Sequence, residues 1–511
     1  MTLVRGRDRT EPLSLRADAV VVGSGAGGAV VARELARAGL SVVVVEEGGH
    51  YAPSEYARFS PARSIGTLMR EAGLAVAMSL SETPVMSVLA GRCVGGSSVL
   101  TGGVCFRIPE AVRAEWEHEH GLRGVTAAAL APLYEALEAD LGVETVPEAM
   151  RSRSTELFVE GAERLGVPMK SLRRNTDGCK GAARCNFGCP NGAKKSVDVV
   201  MLPEVLARSG TLLSDALVER VIVEGGVARG VRGRFLRSAD GEPEVPFEIR
   251  AERVVVACGA LHTPMLLSRS GVRSPHLGRN MTLHPSFRVG ALFDEDVQGW
   301  DGAMQSVYSD HFQEDGITLV GAYTAPSVLA AAFPGVGRAH RRLTAALPRL
   351  AFFGAMIHDE AAGRVRSFFG REPLITYAMT PRDRERMWRG IGILGELAFA
   401  AGARELLLPI FGQDPIASPA ELARILRARP SARRVEAMSF HPLGTARMGA
   451  DATRGVVRES GETFQVENLF VADGSVLPTS LGVNSQLPIM TMALKIGRGI
   501  AQGAGRGRSA A

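Results

Sequence analysis

The stretch that most constrains this 511-residue chain lies between residues 19 and 46. Ala19-Val20-Val21-Val22 is a short β-branched apolar run, the pattern of a strand buried on both faces in a parallel sheet. It runs straight into Gly23-Ser24-Gly25-Ala26-Gly27-Gly28. Ala29 to Ala38 then reads as a helix closed by Gly39, and a second apolar strand, Ser41 to Val45, ends at Glu46. Strand, G-x-G-x-x-G, helix, strand and acid in this order form a dinucleotide-binding pattern. Gly23 makes the tight turn, Gly25 lets a pyrophosphate approach the backbone, and Gly28 lets helix and strand pack closely. The helix N-terminus turns its partial positive charge toward the phosphates. Glu46 is placed to accept hydrogen bonds from ribose hydroxyls. Its neighbour Glu47 reads as a solvated or capping residue. The motif alone does not separate NAD from FAD.

Composition supports the same view of the glycines. There are 59 in 511 residues, well above the usual share of about 7%. Disordered linkers would show long Gly/Ser runs, and none is present. The glycines cluster instead beside short apolar strands. The 59 basic and 54 acidic residues are interleaved, for a net charge of +5. The densest basic cluster, Arg338 to Arg342 with Arg349, is short and reads as a solvated surface. A nucleic-acid partner would need a basic stripe on a recognisable module, and none is expected here. No apolar stretch reaches the roughly 20 residues of a transmembrane helix. Leu347 to Ile357 comes nearest but contains Pro348 and Arg349. Peripheral membrane contact stays open. Met1 to Arg16 lacks an apolar signal core, and six cysteines are too few for a disulfide framework, so a cytoplasmic location is expected.

Further motifs follow in order. Gly91-Arg92-Cys93-Val94-Gly95-Gly96-Ser97, continuing to Gly103, is a loop able to pass close to a flat ligand. Val254 to Val272 reads as strand, turn at Gly259 and helix. Leu277-Gly278-Arg279-Asn280 leads to His284-Pro285. Near the C-terminus stand Phe440-His441 with Gly444-Thr445, then Asn468 to Asp473-Gly474, then Gly482-Val483-Asn484-Ser485-Gln486. In this order and spacing the set resembles the glucose–methanol–choline (GMC) family of FAD-dependent oxidoreductases, over roughly residues 18 to 503.

The resemblance implies an α/β fold: a Rossmann-like FAD-binding domain with an α+β substrate domain, an antiparallel sheet covered by helices. It assigns residues 17–105, 200–290 and 462–505 to the FAD-binding part, and 106–199 and 291–461 to the substrate or cap part. It also implies site roles. Gly23, Gly25, Ala26, Gly28 and Glu46 hold the ADP half of FAD. Gly91, Gly95, Gly96 and Ser97 run beside flavin and pyrophosphate. Val218 meets the adenine, and Gly259, Asp473, Gly474, Ser485 and Gln486 complete the cofactor contacts. His441 matches the catalytic histidine and Asn484 the second active-site position. Thr101, Ser485 and Pro488 depart from commoner family residues, which alters the expected contacts around the flavin. Leu100 stands where members with histidyl-linked flavin carry His, so FAD is expected to be non-covalent.

The residues suit alcohol oxidation. An imidazole is a base of suitable pKa for a hydroxyl proton. His441 takes that role, Asn484 orients the oxygen, and the cofactor accepts hydride at N5. His284 reads as structural, and His118, His120 and His262 have no supporting context.

Cys179, Cys185 and Cys189-Pro190 have the spacing C-x5-C-x3-C-P. Such thiolates can ligate an iron–sulfur cluster, and three suffice for a [3Fe–4S] centre. A disulfide or simple packing as small apolar groups is the preferred reading beside it, and a zinc site has little support. Cys93, Cys105 and Cys258 read as packed thiols.

Between residues 290 and 440 the nucleotide motifs stop. Strand-like alternation appears near Arg288 to Phe293, Thr318 to Tyr323 and Leu374 to Met379, and helical periodicity over Pro381 to Ala401. Apolar stretches at Ala330 to Phe333, Leu343 to Phe353 and Phe368-Phe369 suggest a bulky hydrophobic alcohol, unless they simply form core. Ala72 to Val88 is apolar enough for a lid. The electron acceptor is O2 or a quinone or cytochrome partner. Two alternatives stand beside this reading. One is a sugar dehydrogenase passing electrons onward, by way of a cluster if one is bound. The other is a GMC-fold lyase or other non-oxidase flavoenzyme. The glycine-rich tail, Gly503 to Ala511, reads as disordered.

Overall fold

The computed structural model describes residues 2–237, 243–333, 335–360, 363–367 and 371–509, so Phe368-Phe369 and the last two residues lie outside it. Two sheets organise the chain. The first has eight strands, in the order Thr2–Arg5, Thr211–Ser214, Val42–Val45, Leu13–Val22, Pro243–Val256, Val227–Leu236 and Ala216–Glu224, with Leu469–Val471 also pairing to Pro243–Val256. Val20 is opposite Val43 on one side and Val254 on the other, and all of these pairings are parallel. Val20, Val43 and Val254 are buried, as a sheet covered on both faces requires.

The first strand is longer than its apolar run because Pro243–Val256 is long. Its early half pairs antiparallel with Val227–Leu236, while Phe247–Ala251 also extends along Leu13–Ala17. Its late half, Val254–Val256, pairs with Leu469–Val471. One strand thereby joins the parallel sheet to a three-stranded meander.

The glycine-opened helix, Ala26–Arg37, lies against the C-terminal helix Gln486–Ser509. A Cβ on Gly497 would meet Val31 Cα at 3.2 Å, so glycine lets these helices approach closely. The tail expected to be disordered is instead helical through Ser509. The hydrogen-bond ladder of the helix simply continues through its glycines.

The second sheet has eleven strands and is mixed. Ser286–Leu292 and Leu350–Ile357 form its antiparallel centre. Helix Pro381–Ala400, opened by a Thr380–Asp383 capping box, packs Met387, Ile391 and Leu394 into the core beside it. Two pairings depart from the expected antiparallel sheet. Met86–Val88 runs parallel to Ala437–Ser439, and Val76–Met78 parallel to Pro373–Thr376. Parallel neighbours need long crossovers, which the separation of these segments along the chain supplies. Val76–Met78, Met86–Val88 and the first five residues of Ser286–Leu292 fall within the spans expected to form the FAD-binding part but pair in this second sheet.

The apolar middle stretches are core. Leu329, Leu347, Leu350 and Phe352 form one buried cluster with Tyr323, and Ala330 and Phe333 pack on it. Phe353 joins the main core of the second sheet. These residues therefore do not line a substrate cavity. Within the expected lid, Val76–Met78 and Met86–Val88 are paired in the second sheet.

Candidate active site

A cleft opens where the two sheets meet. Gly23, Gly25, Ala26 and Glu46 line it from the first strand–helix unit, and Gly91, Gly96 and Ser97 from the glycine loop. Val218, Gly259, Asp473, Gly474, Ser485 and His441 complete these walls. Most of the residues singled out from sequence thus converge on one space. Gly28, Gly95, Gln486 and Asn484 support it from just outside.

The glycines divide by what a side chain would meet. Gly25 has open space, its nearest neighbour to an added Cβ being Gly96 Cα at 3.9 Å. Gly259, at φ +76°, has nothing within 4 Å. These two keep the cleft open for a ligand. At Gly28 a Cβ would sit 1.9 Å from Gly23 O, and at Gly27 1.8 Å from Ala472 O, so these two serve packing. Gly27 escaped the sequence reading because the partner carbonyl is remote in the chain.

Glu46 Oε2 accepts from Ser24 N at 3.0 Å and Ser24 Oγ at 2.7 Å, and Oε1 accepts from Gly48 N at 2.9 Å. Burial raises its pKa. Gly95 N also donates to Ser24 Oγ at 3.0 Å, so Ser24 ties the two glycine loops together. Asp473 performs the same task at the other wall. Its Oδ2 accepts from Gly259 N at 2.8 Å and from Thr263 Oγ1, and its Oδ1 from Ser475 N at 2.8 Å. Gln486 does not line the cleft, but its Oε1 accepts from Thr101 Oγ1 at 2.7 Å, behind the glycine loop.

Glu47 is not a solvated residue. It borders the cleft and pairs with Arg70 at 2.6 Å, with both side chains largely buried. Burial pushes its carboxyl up, but Arg70 outweighs that and holds it at about 2. Nor is His262 without context, since it lines the cleft 3.2 Å from Glu372 Oε2. Cys258 likewise borders the cleft.

At the second-sheet side, Asn484 Nδ2 donates to His441 Nε2 at 3.2 Å. Burial, with nearby His284 adding to it, pulls the His441 pKa down to about 3. The ring is therefore neutral near pH 7 and offers a lone pair at Nε2. His441 Nδ1 and Asn484 Oδ1 have no protein partner. Leu89, Phe440 and Ile489 give this part of the cleft apolar walls.

The cysteines do not form a ligand set. All six are free thiols. Cys185 Sγ accepts from Arg174 Nη2 at 3.1 Å, while Cys189 Sγ accepts from Lys194 N at 3.4 Å. Among the described residues no three His, Cys, Asp or Glu side chains are grouped to hold a metal. The iron–sulfur reading is therefore dropped, because close spacing in sequence did not bring the sulfurs together. The segment instead delivers Lys194, whose ammonium donates to the carbonyls of Val99 at 2.6 Å, Thr101 at 2.8 Å and Cys185 at 2.8 Å, which fixes the glycine loop from behind.

Family models described as GMC oxidoreductase match residues 17–286 and 370–493. The chain belongs to the GMC oxidoreductase family. Members of this family are FAD-dependent oxidoreductases, and so is this protein. Similar proteins include an uncharacterized GMC-type oxidoreductase of Mycobacterium tuberculosis, 40% identical over 97% of this chain and 77% of the relative. A long-chain-alcohol oxidase of Arabidopsis thaliana is 28% identical over 98% of this chain and 69% of its own length. Among solved GMC structures, pyridoxine 4-oxidase from Mesorbium loti matches with a TM-score of 0.72 at 22% identity, covering 94% of this chain and 98% of the other. Formate oxidase of Aspergillus oryzae matches at 0.73 and 16% identity, covering 97% of this chain and 99% of the other. These two share the fold.

The cleft fits the family cofactor. Gly25 caps helix Ala26–Arg37 without a side-chain bond, so the free N–H groups of the first turn are available to a pyrophosphate. Gly25 and Gly259 leave the room described above. No described helix is long and apolar enough to cross a membrane.

Proposed function

We propose that this protein oxidises an alcohol to a carbonyl compound, with His441 as base and Asn484 as the group that orients the oxygen. The observation that carries this is the 3.2 Å His441–Asn484 pair, in which His441 lines the glycine-walled cleft and Asn484 stands directly beside it. A hydroxyl entering between the two side chains would donate to His441 Nε2 and accept from Asn484 Nδ2, replacing their mutual bond. The neutral ring can take the proton, and the amide holds the oxygen as charge develops on it. Bound FAD supplies the two-electron acceptor. Gly23, Gly25, Ala26, Glu46, Val218, Gly259, Asp473 and Gly474 hold it, with Gly91, Gly96, Ser97 and Ser485 along the same cleft. With Leu100 in place of a histidine, the attachment is non-covalent.

The substrate we infer is a bulky hydrophobic alcohol. The core placement of Leu347, Leu350, Phe352 and Phe353 removes one argument for this. The apolar walls at Leu89, Phe440 and Ile489 supply another. The likeness to long-chain-alcohol oxidases points the same way.

Anaerobic mixing of the yellow holoenzyme with fatty, aromatic, steroid and sugar alcohols tests the reading. Bleaching by hydrophobic alcohols is expected. Bleaching by sugars alone would overturn the substrate class, and failure of the whole panel would overturn alcohol oxidation. Peroxide yield against dye reduction then separates O2 from a quinone or cytochrome as acceptor.

A further inference from the structure

Behind His441 and Asn484 lies a buried polar layer that the proposed chemistry leaves unused. Asp359 is 2% exposed. Its Oδ2 accepts the Leu283 N–H at 2.8 Å and the Tyr377 hydroxyl at 2.6 Å. Its Oδ1 accepts the His284 N–H at 3.0 Å and the Ser480 hydroxyl at 2.9 Å. His284 has φ +48°, a costly conformation for a residue with a side chain, and it turns two successive N–H groups onto one carboxylate.

His284 is fully buried, and its Nε2 accepts the N–H of Leu481 at 2.7 Å and of Gly482 at 3.2 Å. A ring nitrogen that accepts carries no proton, so the neutral ring holds its hydrogen on Nδ1. Thr318 Oγ1 donates to the Gly482 carbonyl at 2.8 Å. The turn Ser480–Gly482 is thus gripped at four points, and Asn484 follows two residues later. The other arm is tied to the same segment. His441 N–H donates to Ser439 Oγ at 3.4 Å, and Ser439 Oγ donates to the Leu283 carbonyl. Thr282 and Leu443 exchange backbone bonds of 3.3 and 3.0 Å. Segment Thr282–His284 therefore holds both active-site arms, and Asp359 fixes that segment.

We propose that Asp359 and His284 are positioning residues of the oxidation: through the Thr282–His284 segment they set how Asn484 faces His441. This rests on reading His441 and Asn484 as the reacting pair. A misplacement of about 1 Å can cost about 100-fold in rate, so the grip has catalytic weight beyond stability.

Two measurements test this on holoenzyme. The first needs no substrate. In protein labelled with 15N-histidine, two-bond 15N–1H correlation should show His284, assigned by its loss in His284→Gln, protonated at Nδ1 and bare at Nε2. A protonated Nε2 would overturn the proposal, because it could not accept from Leu481 and Gly482. The second is anaerobic flavin reduction by 1-dodecanol and benzyl alcohol, expressed per bound FAD. Asp359→Asn and His284→Ala should lower the limiting rate about 10- to 100-fold, with half-saturation changed by less than about twofold. His284→Gln, whose amide oxygen can accept both N–H groups, should recover most of the rate. If Asp359→Asn yields no holoenzyme, the two His284 variants decide. Normal rates per flavin in all variants, with lost yield alone, would make the network merely structural and overturn the proposal. If neither alcohol reduces wild-type protein, the alcohol reading has failed and the positioning proposal falls with it, while a bare Nε2 would leave only the grip of His284 on Leu481 and Gly482 standing.

Discussion

His284 makes stability depend on pH in a way that can be calculated. Burial, with His358 adding to it, pulls its pKa from 6.5 down to about 3. The unfolded chain therefore binds this proton first as the pH falls. Stability is intact above pH 6.5 and is lost progressively between 6.5 and 3. At pH 5 the unfolded form is favoured by a factor of about 30 from this group alone, or about 2 kcal/mol. At pH 7.5 the effect is nearly zero. His284→Gln keeps an acceptor for Leu481 and Gly482 but cannot titrate. Urea unfolding of wild type and variant at both pH values isolates the term, since other titrating groups are common to both proteins. The variant should lose about 2 kcal/mol less than wild type between pH 7.5 and 5. Equal losses would show that His284 is not held neutral, and the reasoning about its Nε2 would fail with it.

Three further outcomes are expected. Gly25→Val should fold but purify with little flavin, because its side chain enters open cleft, whereas Gly27→Ala should chiefly lower the melting temperature, because its Cβ would strike Ala472 O. Absorbance at the flavin band per mole of protein, with thermal melts, separates the two. Arg70→Ala leaves the largely buried Glu47 only the more distant Arg371, at 3.6 Å, and should cost part of the about 3–5 kcal/mol of a fully unpaired buried charge in urea unfolding at neutral pH. That loss should shrink as the pH falls toward 2, where Glu47 takes up its proton and no longer needs Arg70. Cys185→Ser should retain FAD content and alcohol-dependent bleaching, measured on the same preparation. A loss of both would give the cysteine segment a role that its contacts do not predict.

What could be read from sequence was what is local. The turn at Gly23, the helix after it and the acid at Glu46 act within one stretch of chain, and few folds other than a nucleotide-binding unit need those residue types in that order. His441 and Asn484 could be singled out because each sits in its own ordered motif. The supports were hidden because they join distant segments: Glu47 to Arg70, Gly27 to Ala472, Asp359 to Leu283 and Ser480. The cysteines misled for the opposite reason. Their spacing is short, yet Arg174 and Lys194 take up Cys185 and Cys189 separately. Leu343 to Phe353 was ambiguous, since core and cavity wall both require apolar residues, and only the pairing of Leu350–Ile357 in the sheet decided between them.

The central claim is that His441 removes the hydroxyl proton. Its most direct test is single-turnover anaerobic bleaching of His441→Ala holoenzyme with the alcohol that reduces wild type fastest. Stoichiometric FAD and a reduction rate lower by about 100- to 10,000-fold are expected. A rate within a few-fold of wild type, with FAD bound, would contradict that claim.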